Sequence, residues 1–119
     1  MDQATLERPV VGMPAHPNHF DLKRIERTIA QRKRYRYVSP KVEAVKDGYR
    51  IESPCCSRNI DPEGGIVDVA LLQYDGSRAV WRLFRKDHAS GTWEFDSTYD
   101  RLIELLDQLN ADPDRKFWQ

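Results

Sequence analysis

The stretch that decides the fold is residues 42–53, VEAVKDGYRIES. Two runs with period-two alternation, Val42 to Lys46 and Tyr49 to Ser53, flank Asp47-Gly48, a dipeptide suited to the positive φ angles of a two-residue hairpin turn. Successive strand side chains point to opposite faces, so Tyr49, Ile51 and Ser53 share one face while Arg50 and Glu52 share the other. Residues 42–53 therefore predict a hairpin, and the same period recurs downstream.

After a loop by composition, Asn59 to Gly65, a third strand is expected from Ile66 to Tyr74 with Val67, Val69 and Leu71 on one face. Asp75-Gly76 turns the chain. A fourth strand, Ala79 to Lys86, places Trp81 and Leu83 on one face and Val80 and Phe84 on the other. Ser90-Gly91 turns it again into a short fifth strand, Thr92 to Asp96, with Trp93 and Phe95 pointing the same way.

On either side of these strands the period changes to that of a helix. Upstream, Asn18 is placed to cap a helix from about His19 to Arg34, with Asp21 in its first turn and a narrow apolar stripe of Leu22, Ile25 and Ile29. Ser39-Pro40 breaks that pattern. Downstream, Ser97 is expected to cap a second helix bearing Tyr99, Leu102, Ile103, Leu106 and Leu109, ended by Asp112-Pro113. The fold class expected is α+β: an antiparallel β-meander of about five strands with one helix before it and one after it. Residues 1–17, with three prolines, read as a flexible leader, and residues 18–119 as a single α+β domain. The expected core is Ile25, Ile29, Ile51, Val69, Leu71, Trp81, Leu83, Trp93, Phe95, Leu102, Leu106 and Leu109.

Composition agrees with one folded domain. The 119 residues are 39% hydrophobic and 32% charged, and suffice for one packed core. Nothing approaches a membrane span or a secretory signal, and the adjacent pair Cys55-Cys56 is no disulfide framework. A cytoplasmic protein that does not engage a membrane is expected.

The order Asp21-Leu22-Lys23-Arg24-Ile25-Glu26, Tyr49-Arg50-Ile51-Glu52, Val80-Trp81-Arg82-Leu83-Phe84 and Thr92-Trp93-Glu94-Phe95, ending in Asn110-Ala111-Asp112-Pro113 and Phe117-Trp118, resembles a small bacterial family catalogued as domain of unknown function 3024. The resemblance covers about 100 residues and implies a bacterial origin and a self-contained domain. It implies no reaction, ligand or catalytic residue. The chain departs from the family pattern at Pro54-Cys55-Cys56, which bears on where the second strand ends.

Chemistry-bearing constellations are weak. His16 and His19 at H-x-x-H spacing, with Cys55 and Cys56, make the donor types of a closed zinc site, but vicinal cysteines aim both sulfurs at one metal poorly. A cysteine nucleophile would need a base or cation beside it, with Arg58 or His88 as candidates, and the Asp61 to Glu63 carboxylates lie in a glycine-rich loop. No Walker, Rossmann or Ser-His-Asp signature occurs. The reading therefore assigns no catalytic, cofactor-binding or metal residue, and an enzyme ranks third.

Charge segregation is the stronger signal. Lys and Arg together number 19, as do Asp and Glu, yet residues 23–36 carry seven bases and one acid, while residues 94–114 carry seven acids and one base. The expected contact residues are Lys23, Arg24, Arg27, Arg32, Lys33, Arg34, Tyr35, Arg36 and Tyr37. The leading expectation is a non-enzymatic interaction module, its basic first helix and acidic second helix serving a protein partner or self-association. The alternative is nucleic-acid binding by segment 23–37, where Tyr35 and Tyr37 alternate with Arg34 and Arg36.

Overall fold

The computed structural model describes residues 16–32, 39–54 and 65–118. Helix α1 (His19–Ile29) is followed by strands β1 (Lys41–Val45), β2 (Gly48–Pro54), β3 (Ile66–Asp75), β4 (Val80–Asp87) and β5 (Thr92–Tyr99), and then by helix α2 (Leu102–Ala111). The strands form one antiparallel sheet in sequence order. This is the expected α+β meander with a helix at each end.

Asn18 caps α1 as expected, its Oδ1 accepting the Asp21 N–H at 2.8 Å. The helix ends at Ile29 rather than near Arg34. There the Ile29 carbonyl accepts from the Arg32 backbone N–H at 3.2 Å and from its inward-turned guanidinium at 2.9 Å, in place of a continued helical bond.

In the first hairpin Val45 pairs with Gly48, so the two turn residues are Lys46 and Asp47, with Asp47 holding φ at 61°. The expected turn was one residue later. Gly48 belongs to the strand because a Cβ there would lie 1.8 Å from the Leu72 carbonyl oxygen. A close backbone approach, more than a turn angle, demands glycine at this position.

Two β-bulges overturn parts of the expected core. Ile51 pairs with Ala70 but Glu52 pairs with Asp68, which leaves Val69 as an extra residue in β3. One extra residue inverts the phase of a period-two pattern. Beyond it Ala70 and Leu72 are buried, while Leu71, expected inside, lies opposite Arg50 and Phe84 on the other face. The second bulge leaves Asp96 extra, since Leu83 pairs with Ser97 and Phe84 with Phe95. Ser97 and Tyr99 therefore fall on the core side of β5, and Trp93 and Phe95, also expected inside, lie on the outer side. Phe95 is 56% exposed.

Because β5 extends to Tyr99, Ser97 is a strand residue and α2 starts later, capped at Arg101, whose N–H donates to Glu104 Oε1 at 3.2 Å. The buried positions Leu102, Leu105, Leu106 and Leu109 recur at i, i+3, i+4 and i+7. Leu105 joins the expected stripe and Ile103 lies at its margin.

Both helices occupy the same face of the sheet. They touch each other, α1 also touches β1, and α2 touches β4 and β5. Between helices and sheet lies the core of Ile25, Ile29, Tyr49, Ile51, Leu72, Trp81, Leu83 and the α2 leucines, closed at one end by Phe117 and Trp118. Among the described residues no helix covers the opposite face of the sheet.

Candidate interaction surface

The basic side chains of the first helix divide into three groups. Lys23 is exposed and pairs with Glu26 one turn away at 3.3 Å. Arg24 is half-buried and Arg27 exposed, and neither has a carboxylate within ion-pair distance among the described residues. Arg32 is 2% exposed, so it is not a surface contact residue. Its guanidinium lies over the Trp118 ring at 4.3 Å from the centroid. Lys33, Arg34, Tyr35, Arg36 and Tyr37 lie outside the described residues.

The acidic pole divides likewise. Asp100, Glu104, Asp107 and Asp114 are exposed. Glu94 and Asp96 are engaged by Arg85 at 3.2 and 3.8 Å, and Asp96 also by Lys116 at 3.1 Å. Asp112 is buried, with φ at 38°. Its carboxylate accepts the backbone N–H groups of Lys116 at 2.8 Å, Phe117 at 3.2 Å and Trp118 at 2.8 Å. Adjacent helices do bring the two poles side by side, since the Asn110 side chain donates to the Thr28 carbonyl at 2.9 Å. Among the described residues no ion pair joins α1 to α2, so the exposed charges of each helix remain directed to solvent.

A second cluster surrounds the start of α1. The His16 ring sits 4.6 Å from that of Trp81, 4.9 Å from that of Tyr74 and 6.1 Å from that of Tyr49. Its Nδ1 lies 3.2 Å from the Tyr49 hydroxyl and 3.3 Å from the Asn18 Nδ2 amide. An amide N–H only donates, so Nδ1 is the acceptor in its contact with Asn18. Burial pushes the His16 pKa below 6.5, against the opposing pull of Asp21 at 3.5 Å. The same burial raises the Tyr49 hydroxyl, while the Asn18 N–H bond to it works the other way. These groups hold His16 to Asn18 against the sheet. Sequence reasoning placed His16 in the leader, and its role depends on aromatic partners from β2, β3 and β4 that no local spacing reveals.

Of the residues weighed for zinc, His16 is committed to this aromatic cluster and His19 is exposed. Cys55, Cys56, Arg58 and the Asp61 to Glu63 loop lie outside the described residues. No group of three metal-ligating side chains converges among the described residues. Nor is any helix there long and apolar enough to cross a membrane.

The most distinctive stretch of the sequence, Asn110-Ala111-Asp112-Pro113 with Phe117-Trp118, thus forms one structural unit. Asp112 ends α2, gathers the tail's N–H groups and seats Phe117 and Trp118 in the core, where Trp118 Nε1 donates to the Leu109 carbonyl at 3.0 Å. No curated protein and no solved structure matches the chain. The family model described as Domain of unknown function (DUF3024) matches residues 13–119, and the chain belongs to that family.

Proposed function

We propose that the domain is a non-enzymatic interaction module whose basic α1 surface engages an acidic protein surface. The observation that carries this reading is the contrast between two sets of cations. Arg50, Arg82 and Lys86 on the sheet are each held by a carboxylate of the same chain, whereas Arg24 and Arg27 on α1 have none among the described residues. A partner carboxylate meets these two guanidiniums without displacing an ion pair made among the described residues. In the sequence the bases Lys33, Arg34 and Arg36 follow shortly after these two. The cytoplasm is the compartment this reading assumes, in keeping with a chain of two adjacent cysteines.

Fluorescence anisotropy with labelled polyglutamate and labelled single-stranded DNA tests it, each titrated across salt. Polyglutamate binding that weakens with salt and is lost in the Arg24→Glu/Arg27→Glu variant supports the module. Binding of the DNA alone, falling steeply as salt releases condensed counterions, replaces it with the nucleic-acid reading. Binding of neither probe near 50 mM salt removes the basic surface from consideration.

A further inference from the structure

We propose that the helix-free face of the sheet is the interface of a symmetric homodimer, its occupant a second copy of this chain. Ile66 is 69% and Phe95 56% exposed, and these are two of the three large exposed hydrophobics among the described residues. Both fall on this face by strand alternation. Phe95 packs edge-on against Phe84 at 5.8 Å, and Phe84 pairs with Leu71, so an apolar row crosses three strands. Beside it the Lys86 ammonium lies 4.8 Å from the Trp93 ring centroid.

The charges on this face select the occupant. Three of the four cations on this face are already neutralised within the chain: Arg50 by Glu43 and by Glu52 at 2.9 Å, Lys86 by Asp68 at 2.9 Å, and Arg82 by Asp75 at 3.2 Å, while Lys41, opposite Glu52 in the register, has no ion pair among the described residues. A phosphate backbone would have to compete with four carboxylates for three of these cations, which disfavours nucleic acid. A like surface meets no such penalty, because the cations and carboxylates of this face, four of each, balance locally.

The register supplies self-complementarity. A two-fold axis between β3 and β4, parallel to the strands, lays β3 of one copy over β4 of the other and keeps their rows aligned. Asp68 and Lys86 occupy neighbouring positions in one row, as their ion pair shows, while Leu71 pairs with Phe84 and Gln73 with Arg82. The axis therefore sets Asp68 against Lys86 of the second copy, Leu71 against its Phe84, and Gln73 against its Arg82. Arg50, which pairs with Leu71, comes to lie over Phe95 of the second copy, a cation over an aromatic face. Each residue meets its complement twice, as an isologous interface requires. Two sheets packed in this way bury their facing side chains in a layer about 10 Å thick.

Sedimentation of the full chain over a concentration series, with a charge-swap pair, tests this. The wild type is expected to sediment as a dimer, and Phe95→Asp to raise the dissociation constant at least about thirtyfold while keeping the wild-type circular dichroism spectrum. Asp68→Lys and Lys86→Glu should each sediment as monomers, and mixing them should restore a dimer, because only contacts between copies are then complementary. The Arg24→Glu/Arg27→Glu variant should remain dimeric, which separates this interface from the α1 surface. A monomeric wild type at every concentration, or a Phe95→Asp variant that still dimerises, would overturn the proposal. So would single-stranded DNA binding that Phe95→Asp abolishes.

Discussion

The Arg32 guanidinium lies over the Trp118 ring, 4.3 Å from its centroid, and joins the residues just past α1 to the C-terminal tail. With Trp118 Nε1 bonded to Leu109 and its backbone N–H to Asp112, the tryptophan is fastened on three sides. The C-terminal tail is therefore a closing element of the core.

Trp118→Ala should lower the unfolding free energy by about 3–5 kcal/mol, the range for emptying a buried aromatic site. Urea denaturation of the two proteins measures it. Retention of wild-type stability would mean that the tail contributes nothing to the core.

Asp112 presents a second way to release the same tail. Asp112→Ala leaves the N–H groups of Lys116, Phe117 and Trp118 without their acceptor and puts alanine at φ 38°, so a loss of about 2–4 kcal/mol is expected. Asp112→Asn keeps one acceptor oxygen and a residue that tolerates left-handed backbone, and should cost less. Equal melting temperatures for the two variants would contradict this account.

Within α2, Leu106 is fully buried while Ile103 is partly exposed. Leu106→Ala should cost about 2–5 kcal/mol and Ile103→Ala markedly less. The reverse order in denaturant midpoints would place the buried stripe on another face of the helix.

His16 makes stability depend on pH. Its folded-state pKa lies below 6.5, so between that lowered value and 6.5 the unfolded chain binds the proton more readily than the folded one. The stabilisation is fully present above pH 6.5 and is lost as pH falls through the folded-state value. Most Asp and Glu side chains titrate lower, so the melting temperature just below pH 6.5 reports mainly this group. His16→Phe, which keeps a ring in the aromatic cluster, should flatten the slope in that window. An unchanged slope would show that His16 is not responsible for it.

Gly48→Ala should destabilise by roughly 3 kcal/mol, at the upper end for overpacking, because the new methyl would meet backbone rather than a side chain that can move aside. A near-neutral effect on the melting temperature would show that β2 and β3 can separate at this point.

Much of the architecture is determined by local sequence. The stripe of Ile25 and Ile29, the Asn18 cap, the α2 leucines and five period-two runs each follow from spacing within one turn or one strand, where neighbours along the chain impose the pattern. The exposed bases Lys23 and Arg27 were legible in the same way, since charges off an apolar stripe face water. Tertiary structure decided the rest. Val69 and Asp96 became bulges through pairing with β2 and β4, and each inverted its strand's phase, turning Leu71, Trp93 and Phe95 outward. Arg32 reads as one more charge in a basic run until Trp118, distant in sequence, provides a face to cover it. His16 likewise depends on rings from three strands. Periodicity records how a residue relates to its chain neighbours, whereas strand register and burial of a lone polar group depend on partners that only the folded chain brings near.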